Sequence, residues 1–255
     1  MPSFLQHPAP STQHPASSIQ HPLFLLPHSL PPLLLTLVPT PVGNLGDVTA
    51  RAREVLAEAD VVLAEDTRST GQLLKHLGLT AKQLYAYHAH NEHGRLDQVL
   101  VRLRAGEHVA LVSDAGTPAI SDPGFLLVRA CREEGLDVSC LPGATAFVPA
   151  LAASGLPCDR FHFEGFLPAK KGRQTRLLYL AELPHTFVLY ESPHRLVKCL
   201  SQLMEACGPE RPACVAREIS KLHEDIRTST LGELHAEYAA EKKIRGEIVV
   251  VVSGK

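Results

Sequence analysis

The sequence predicts an α/β protein of two α/β domains, the first with a mainly parallel sheet and the second with a mixed one. Three observations predict it. From residue 33 short apolar runs of β type alternate with stretches of helical period, the pattern of a parallel sheet with helical crossovers. After residue 160 the alternation loosens into three strand-like runs with one helix among them, which favours mixed pairing. Between these regions Gly155 and Pro157 interrupt the pattern, so the junction is placed at 154–160, the domains at 33–154 and 160–255, and a low-complexity extension at 1–32.

The elements follow in order. The apolar run at 33–38 is the first strand, and Val48, Ala52, Val55, Leu56 and Ala59 mark one face of the next helix. Residues 61–64 form the second strand, 71–77 a short helix stopped near Gly78, and 84–88 the third strand. Leu96, Val99, Leu100 and Leu103 give a helical face ending at Gly106, and 108–113 is a fourth, buried strand. Asp122 as N-cap and Pro123 at the first helical position open a helix that runs to Gly135. A fifth strand at 138–141 and a small-residue helix at 143–153 complete the first unit. In the second, a strand at 161–166 precedes a basic helix at 172–182, a strand at 186–190 and a helix at 193–207. Strands at 213–218, 226–231 and 247–252 close the chain, with a helix at 233–241.

At 255 residues, 45% hydrophobic and 20% charged, the chain is long enough to bury a substantial core. Its cysteines, at 131, 140, 158, 199, 207 and 214, make no Cys-x-x-Cys pair and no Cys/His cluster at metal-ligand spacing. Neither zinc nor a disulfide framework is expected, and the pattern fits a reducing cytoplasm. A formal charge of -2 gives no global attraction for nucleic acid, so any such binding must come from local basic patches. Gln-His-Pro recurs at 6, 13 and 20, and the prolines rule out a heptad coiled coil. The extension reads as a low-complexity tail or a translated repeat ahead of the true start, with a targeting peptide as the lesser alternative. The apolar stretch at 23–38 is broken by Pro27, Pro31 and Pro32, so no membrane-spanning helix is expected.

Chemistry-bearing residues gather at strand ends. The first strand ends in Pro39-Thr40-Pro41-Val42-Gly43-Asn44-Leu45-Gly46-Asp47, a stiff loop whose glycines let a ligand approach the backbone; a plain tight turn explains it equally well. It is neither a dinucleotide fingerprint nor a P-loop. The fourth strand ends in the most informative segment, Ser113-Asp114-Ala115-Gly116-Thr117-Pro118-Ala119-Ile120-Ser121-Asp122-Pro123-Gly124. So many polar and flexible residues at a strand end favour a cofactor loop that offers backbone groups and carboxylates, even if Asp122 also caps a helix. Leu141-Pro142-Gly143-Ala144-Thr145-Ala146 opens room beside it, although helix-start packing accounts for the alanines too.

The ends of the second and third strands, Ala64-Glu65-Asp66-Thr67-Arg68 and Tyr87-His88-Ala89-His90-Asn91-Glu92-His93, bring carboxylates, an arginine and imidazoles to the same edge. They are candidates for substrate capture and proton transfer; alternatively Asp66 caps the next helix and pairs with Arg68. Tyr190-Glu191-Ser192-Pro193-His194-Arg195 and Ala216-Arg217-Glu218 also stand at strand ends, facing the interdomain cleft or forming surface ion pairs. Lys170, Lys171, Arg173 and Arg176 form a basic patch suited to an RNA backbone, or a solvated helix face.

Taken in order, these segments, with Gly165-Phe166-Leu167-Pro168 and Arg217-Glu218-Ile219 followed by Lys221, resemble the tetrapyrrole methylase superfamily. Within it they are most similar to the ribosomal RNA small-subunit methyltransferase I family, which methylates the 2′-oxygen of a cytidine in the decoding region of 16S rRNA. The resemblance covers about residues 35–253. It implies S-adenosyl-L-methionine bound in a cleft between two α/β domains, 16S rRNA or the small ribosomal subunit as partner, a homodimer, a cytoplasmic location, and neither metal nor membrane. Pro39, Thr40, Pro41, Gly43, Asn44, Asp114, Ala115, Gly116, Thr117, Pro118, Pro142, Gly143, Ala144 and Tyr190 then belong to the cofactor site. Arg68, Asn91, Lys170, Lys171, Arg173 and Glu191 belong to the substrate site. A 2′-hydroxyl must give up its proton as it attacks, and Asp66 and His88 are the candidate groups for that step. The resemblance also implies a small further C-terminal segment in many relatives past the position of Lys255, and if that segment holds RNA, affinity here is expected to be weaker or borrowed from elsewhere. Rival readings are a methylase acting on a tetrapyrrole carbon and a non-catalytic RNA- or nucleotide-binding protein.

Overall fold

Val61, Val62, Leu63 and Ala64 are all buried, as are Val109, Ala110, Leu111 and Val112, so these strands are covered on both faces. The computed structural model describes residues 34–255; the expected extension at 1–32 lies outside the described residues. Strands β1 (Leu35–Leu37), β2 (Val61–Ala64), β3 (Leu84–Ala86), β4 (Val109–Val112) and β5 (Val138–Cys140) form a parallel sheet in the order β3-β2-β4-β1-β5.

Side chains alternate across this sheet with period two. On one face Val62, Ala64, Ala110 and Val112 pack against Ala52 and Leu56 of α1 (Ala50–Glu58) and Leu74 of α2 (Thr67–His76). On the other, Leu35, Leu37, Leu63 and Leu111 pack against α3 (Glu92–Arg104) and α4 (Phe125–Glu133) through Val99, Leu103, Leu127 and Cys131. Neighbouring β1 and β4 therefore send their chains to opposite faces, β1 to α1 and β4 to α4. That divergence opens a crevice beyond their carboxyl ends, the place where such sheets bind ligands.

The second sheet runs β6-β7-β10-β8-β9, from β6 (Phe161–Phe166), β7 (Thr186–Glu191), β8 (Pro212–Arg217), β9 (Asp225–Thr230) and β10 (Ile248–Val252). Only the β6–β7 pair is parallel, so the sheet is mixed, as expected. Helices α6 (Arg173–Ala181), α7 (Leu196–Cys207) and α8 (Leu231–Ala240) cover one face. The other is covered by Ala150 and Leu151 of α5 (Phe147–Ala153), which pack on Val188, Cys214, Ala216, Val249 and Val251. By packing, α5 belongs to the second sheet, although its place in the sequence suggests the first.

Several helix starts differ from expectation, among them α7 at Leu196 rather than 193 and α8 at Leu231 rather than 233, and three of them bear on the site. The α2 helix begins at Thr67 rather than 71, because the Asp66 carboxylate accepts the Arg68 N–H at 2.8 Å and caps it. The cap of α4 is Gly124, not Asp122: its φ is +132°, and a Cβ there would lie 2.7 Å from Leu111 Cδ2. The α5 helix starts at Phe147 rather than 143, because Gly143 lies against Pro39 and the Ala144 carbonyl is taken by the Thr117 hydroxyl, which ties this segment to the loops after β1 and β4.

Candidate active site

Beyond the carboxyl ends of β1 and β4 lies a cleft of about 410 Å³, within the range of about 300–1,000 Å³ usual for small-molecule sites. One wall is made by Val42 after β1, Glu65 after β2, residues 114–117 after β4, and Thr145 and Ala146 before α5. The facing wall comes from the second sheet, with Phe166, Tyr190, Glu191, Ile219, Gly246 and Glu247. Much of the lining is apolar, so a bound ligand is shielded from water on several sides.

Hydrogen bonds join the three loops that the sequence marks for a cofactor. Thr40 and Gly116 exchange N–H···O bonds of 2.9 Å in both directions, and the Thr40 hydroxyl donates to the Ser113 carbonyl at 3.0 Å. Gly116 has φ +87°, a conformation that favours glycine. The Thr117 hydroxyl donates to the Ala144 carbonyl at 3.1 Å, and a Cβ on Gly143 would meet Pro39 Cβ at 2.6 Å. Asp114, Ala115, Gly116, Thr117 and Tyr190 line the cleft directly. Buried Pro39, Thr40 and Pro118, with Pro41, Pro142, Gly143 and Ala144, lie around the lining loops rather than in the lining. Asn44 caps the 3-10 turn Leu45–Asp47, and Gly43 faces the Lys221 stem.

Three carboxyl groups share this wall. Burial raises Glu65 above its ordinary value, and the charges of Asp122 and Asp114 add to the rise. Desolvation raises Asp114 as well, against the opposing bond from the Asp66 N–H. Burial likewise raises Asp122, offset in part by the Ser113 hydroxyl. Groups held above their ordinary values by burial and mutual repulsion are relieved by a neighbouring cation. They do not form a metal cage: among the described residues no group of three or more His, Cys, Asp or Glu side chains is placed to hold a metal ion.

The two groups assigned to proton transfer sit outside the lining. Asp66 is gripped by Arg68 at 2.6 Å, and that hydrogen bond brings its carboxyl down to about 2. Its backbone N–H reaches the cleft by donating to Asp114. His88 is partly buried, and its Nδ1 has no hydrogen-bond partner. Asn91 stiffens the same turn, accepting the His88 N–H at 2.8 Å and donating to the Ala86 carbonyl at 3.1 Å. Glu65, by contrast, lines the cleft. The sequence assigns the proton-transfer role to Asp66 instead; the signal available for Glu65 is its place directly after the apolar run at 61–64, the first residue beyond a strand end.

The basic segment divides. Lys170 and Lys171 are exposed, but Arg173 is only 7% exposed, donating to Gln202 at 2.8 Å and to the Pro168 carbonyl at 3.2 Å. Its remaining arm meets Glu191 at 3.4 Å. Glu191 in turn accepts from Arg195 and from the Ser192 N–H, both at 2.8 Å. Arg173 and Glu191 thus serve each other, and Arg176 pairs with Glu164. Lys221 joins Glu218 and Glu247 at the cleft edge, where Glu218 and Ser220 have φ +54° and +66°. Such strained backbone concentrates at functional sites.

Residues 34–235 match the family model of tetrapyrrole (corrin/porphyrin) methylases. A Synechocystis sp. protein named ribosomal RNA small subunit methyltransferase I is 50% identical over 222 residues, covering 87% of this chain and 79% of the relative. Its namesake in Escherichia coli O157:H7 is 49% identical, covering 86% and 77%. Among solved structures, cobalt precorrin-4 methyltransferase has the same fold, with a TM-score of 0.63, 20% identity, and coverage of 86% of this chain and 94% of that one. Uroporphyrin-III C-methyltransferase from Thermus thermophilus, solved with S-adenosyl homocysteine, gives 0.58 at 23% identity, with coverage of 86% and 96%. Among the described residues no helix is long and apolar enough to cross a membrane.

Proposed function

Because the chain belongs to the tetrapyrrole methylases and, within them, to the ribosomal RNA small-subunit methyltransferase I family, we propose that it methylates a ribose 2′-oxygen, that of a cytidine in the decoding region of 16S rRNA, with S-adenosyl-L-methionine as donor. The carrying observation is the acidic crevice where β1 and β4 diverge. The donor is a cation with an ammonium group and a ribose diol, and the raised carboxyls of Glu65, Asp114 and Asp122 beside the positive-φ Gly116 fit such a group. When bound, it supplies an electrophilic methyl.

The chain's own residues do the rest. Asp114 and Asp122 oppose positive charge, and Val42, Ile219 and Val249 keep water from the cleft. Asp66 lies outside the lining with both carboxylate oxygens engaged by Arg68, whereas Glu65 lines the cleft, so Glu65 replaces Asp66 as the acceptor from the hydroxyl. His88, with a free buried Nδ1, stands as the second proton-handling group. Lys170, Lys171 and the outward-facing Arg68 take phosphates, without help from the buried Arg173. The reading includes a cytoplasmic homodimer, for which exposed Phe125 and Leu178 supply apolar surface, and it uses no metal. The two sheets with their helices are the proposed domains.

The test is incubation with methyl-labelled S-adenosylmethionine and small subunits lacking the modification. Label recovered as 2′-O-methylcytidine is expected. Label in a tetrapyrrole precursor instead overturns the reading, and label in neither despite cofactor binding leaves a non-catalytic binding protein.

A further inference from the structure

The β6 strand carries an irregularity with a consequence for the substrate. Phe163 pairs with Val188, but the next register partner is Gly165 with Leu189, so Glu164 is an extra, bulged residue. In a regular strand residues three apart point to opposite faces. The bulge, with Gly165 at φ +69°, puts Phe166 opposite Tyr190 on the same face as Phe163. Ring centroids run Phe147 to Phe163 at 4.5 Å, Phe163 to Tyr190 at 5.3 Å and Tyr190 to Phe166 at 5.5 Å. The inner rings of this row are partly buried, whereas Phe166 is 55% exposed where it lines the cleft, with Ile120, 50% exposed, also in the lining.

Phe166 rests on Tyr190 and leaves about half of its surface at the cleft mouth, where Ile120 is exposed in the same lining, so two large apolar side chains share one opening. Four residues later come Lys170 and Lys171, both exposed. An outward ring followed at once by free cations is the pairing that holds single-stranded RNA, with base on ring and phosphate on ammonium. A ribose reached by a methyl donor in a cleft must leave its helical stack, and its base then needs a new surface.

We propose that Phe166 is the stacking platform for the base of an unstacked nucleotide, with Ile120 as an apolar second wall and the phosphates on Lys170 and Lys171. This rests on the RNA reading of the cleft given above and names the side chain that orients the substrate there. Glu164 is the hinge of the arrangement, its buried carboxylate held by Arg176 and by His162 at 3.0 Å, so the bulge is fixed before substrate arrives.

The test uses the full chain with small subunits and labelled S-adenosylmethionine. Phe166→Ala is expected to raise KM for the subunits on the order of ten- to a hundredfold, the usual worth of one stacked base, and to weaken the cofactor by a far smaller factor. Phe166→Tyr should restore it. The chain contains no tryptophan, so Phe166→Trp installs a sole reporter whose emission should be quenched by a cytidine-containing single-stranded oligoribonucleotide. An unchanged KM in Phe166→Ala, or unquenched emission in Phe166→Trp while the unmodified chain still methylates subunits, overturns the platform. Loss of a dimer in Phe166→Ala would assign the ring to contact between copies and overturn it equally. Failure of the unmodified chain to label any RNA counts against the function itself, and the quenching measurement then judges the platform separately.

Discussion

Asp114 accepts the backbone N–H of Asp66 through Oδ1 at 3.2 Å, so the ends of β4 and β2 are joined by a carboxylate that also lines the cleft. The charge and the acceptor can be separated. Asp114→Asn keeps an oxygen for the Asp66 N–H and removes the charge, so it should bind S-adenosylmethionine about tenfold or more weaker with little change in melting temperature, from the 1.5–3 kcal/mol typical of hydrogen bonds to charged groups. Asp114→Ala should also lower the melting temperature. Calorimetric titration and thermal unfolding check both, and equal cofactor affinity in the Asn variant would remove Asp114 from the site.

Glu65, Asp114 and Asp122 predict a pH dependence with a definite sign. Their folded pKa values lie above the unfolded ones, so the protonated forms favour the folded state. That contribution is full below the unfolded values and is lost as pH rises through the folded ones. A bound cation acts in the opposite sense by favouring the carboxylates. Cofactor affinity should therefore fall on acidification, beginning above the ordinary carboxylate range, and binding should release protons. Titrations in buffers of different ionisation enthalpy measure that release; uptake of protons would contradict the assignment.

Much of this was legible because both sheets are made from short apolar runs. Residues 61–64 are a strand in sequence and structure alike, since a short, β-branched apolar run between helical stretches suits a strand covered on both faces. The loops at 39–44, 114–118 and 142–144 were legible as strand ends, and the bonds among them bring them together. What failed was local chemistry that depends on distant partners. Asp122-Pro123 has the form of a helix start, but Leu111 packs so tightly against residue 124 that only glycine fits there. Arg173 looked like part of a charged face, yet Leu177 and Leu180 follow at helical spacing and place it on the buried side. The β6 bulge had no signal beyond Gly165, because a register shift is a property of two strands.

Gly143 and Gly71 should respond oppositely to alanine. A Cβ on Gly143 would sit 2.6 Å from Pro39 Cβ and 3.0 Å from its Cγ, and a rigid ring cannot swing aside. Gly143→Ala should push the loops after β1 and β5 apart, costing about 1–3 kcal/mol of stability and weakening cofactor binding. Gly71 lies in α2 with nothing within 4 Å of its added Cβ, so Gly71→Ala should stabilise by about 0.5–1 kcal/mol with activity intact. Denaturant midpoints decide both.

Lys171 and Arg173 are two residues apart and should behave as different kinds of residue. Arg173 is buried with Glu191, whose side chain is 0% exposed, and Glu191 also anchors Arg195 and the Ser192 N–H at the cleft wall. Arg173→Glu would set two buried carboxylates against each other, and breaking a buried pair from one side costs about 3–5 kcal/mol. Against a typical total of about 5–15 kcal/mol, that variant should melt far earlier and lose cofactor and RNA functions together. Arg173→Met, which removes the charge but keeps volume, should fall between. Lys171 is exposed, so Lys171→Glu should keep its melting temperature and cofactor affinity, raise KM for small subunits, and flatten the salt dependence of that KM by about one counterion. If Arg173→Glu melted normally and lost only RNA methylation, the guanidinium would have to face the substrate, and its bonds to Gln202, Pro168 and Glu191 would not describe the working enzyme.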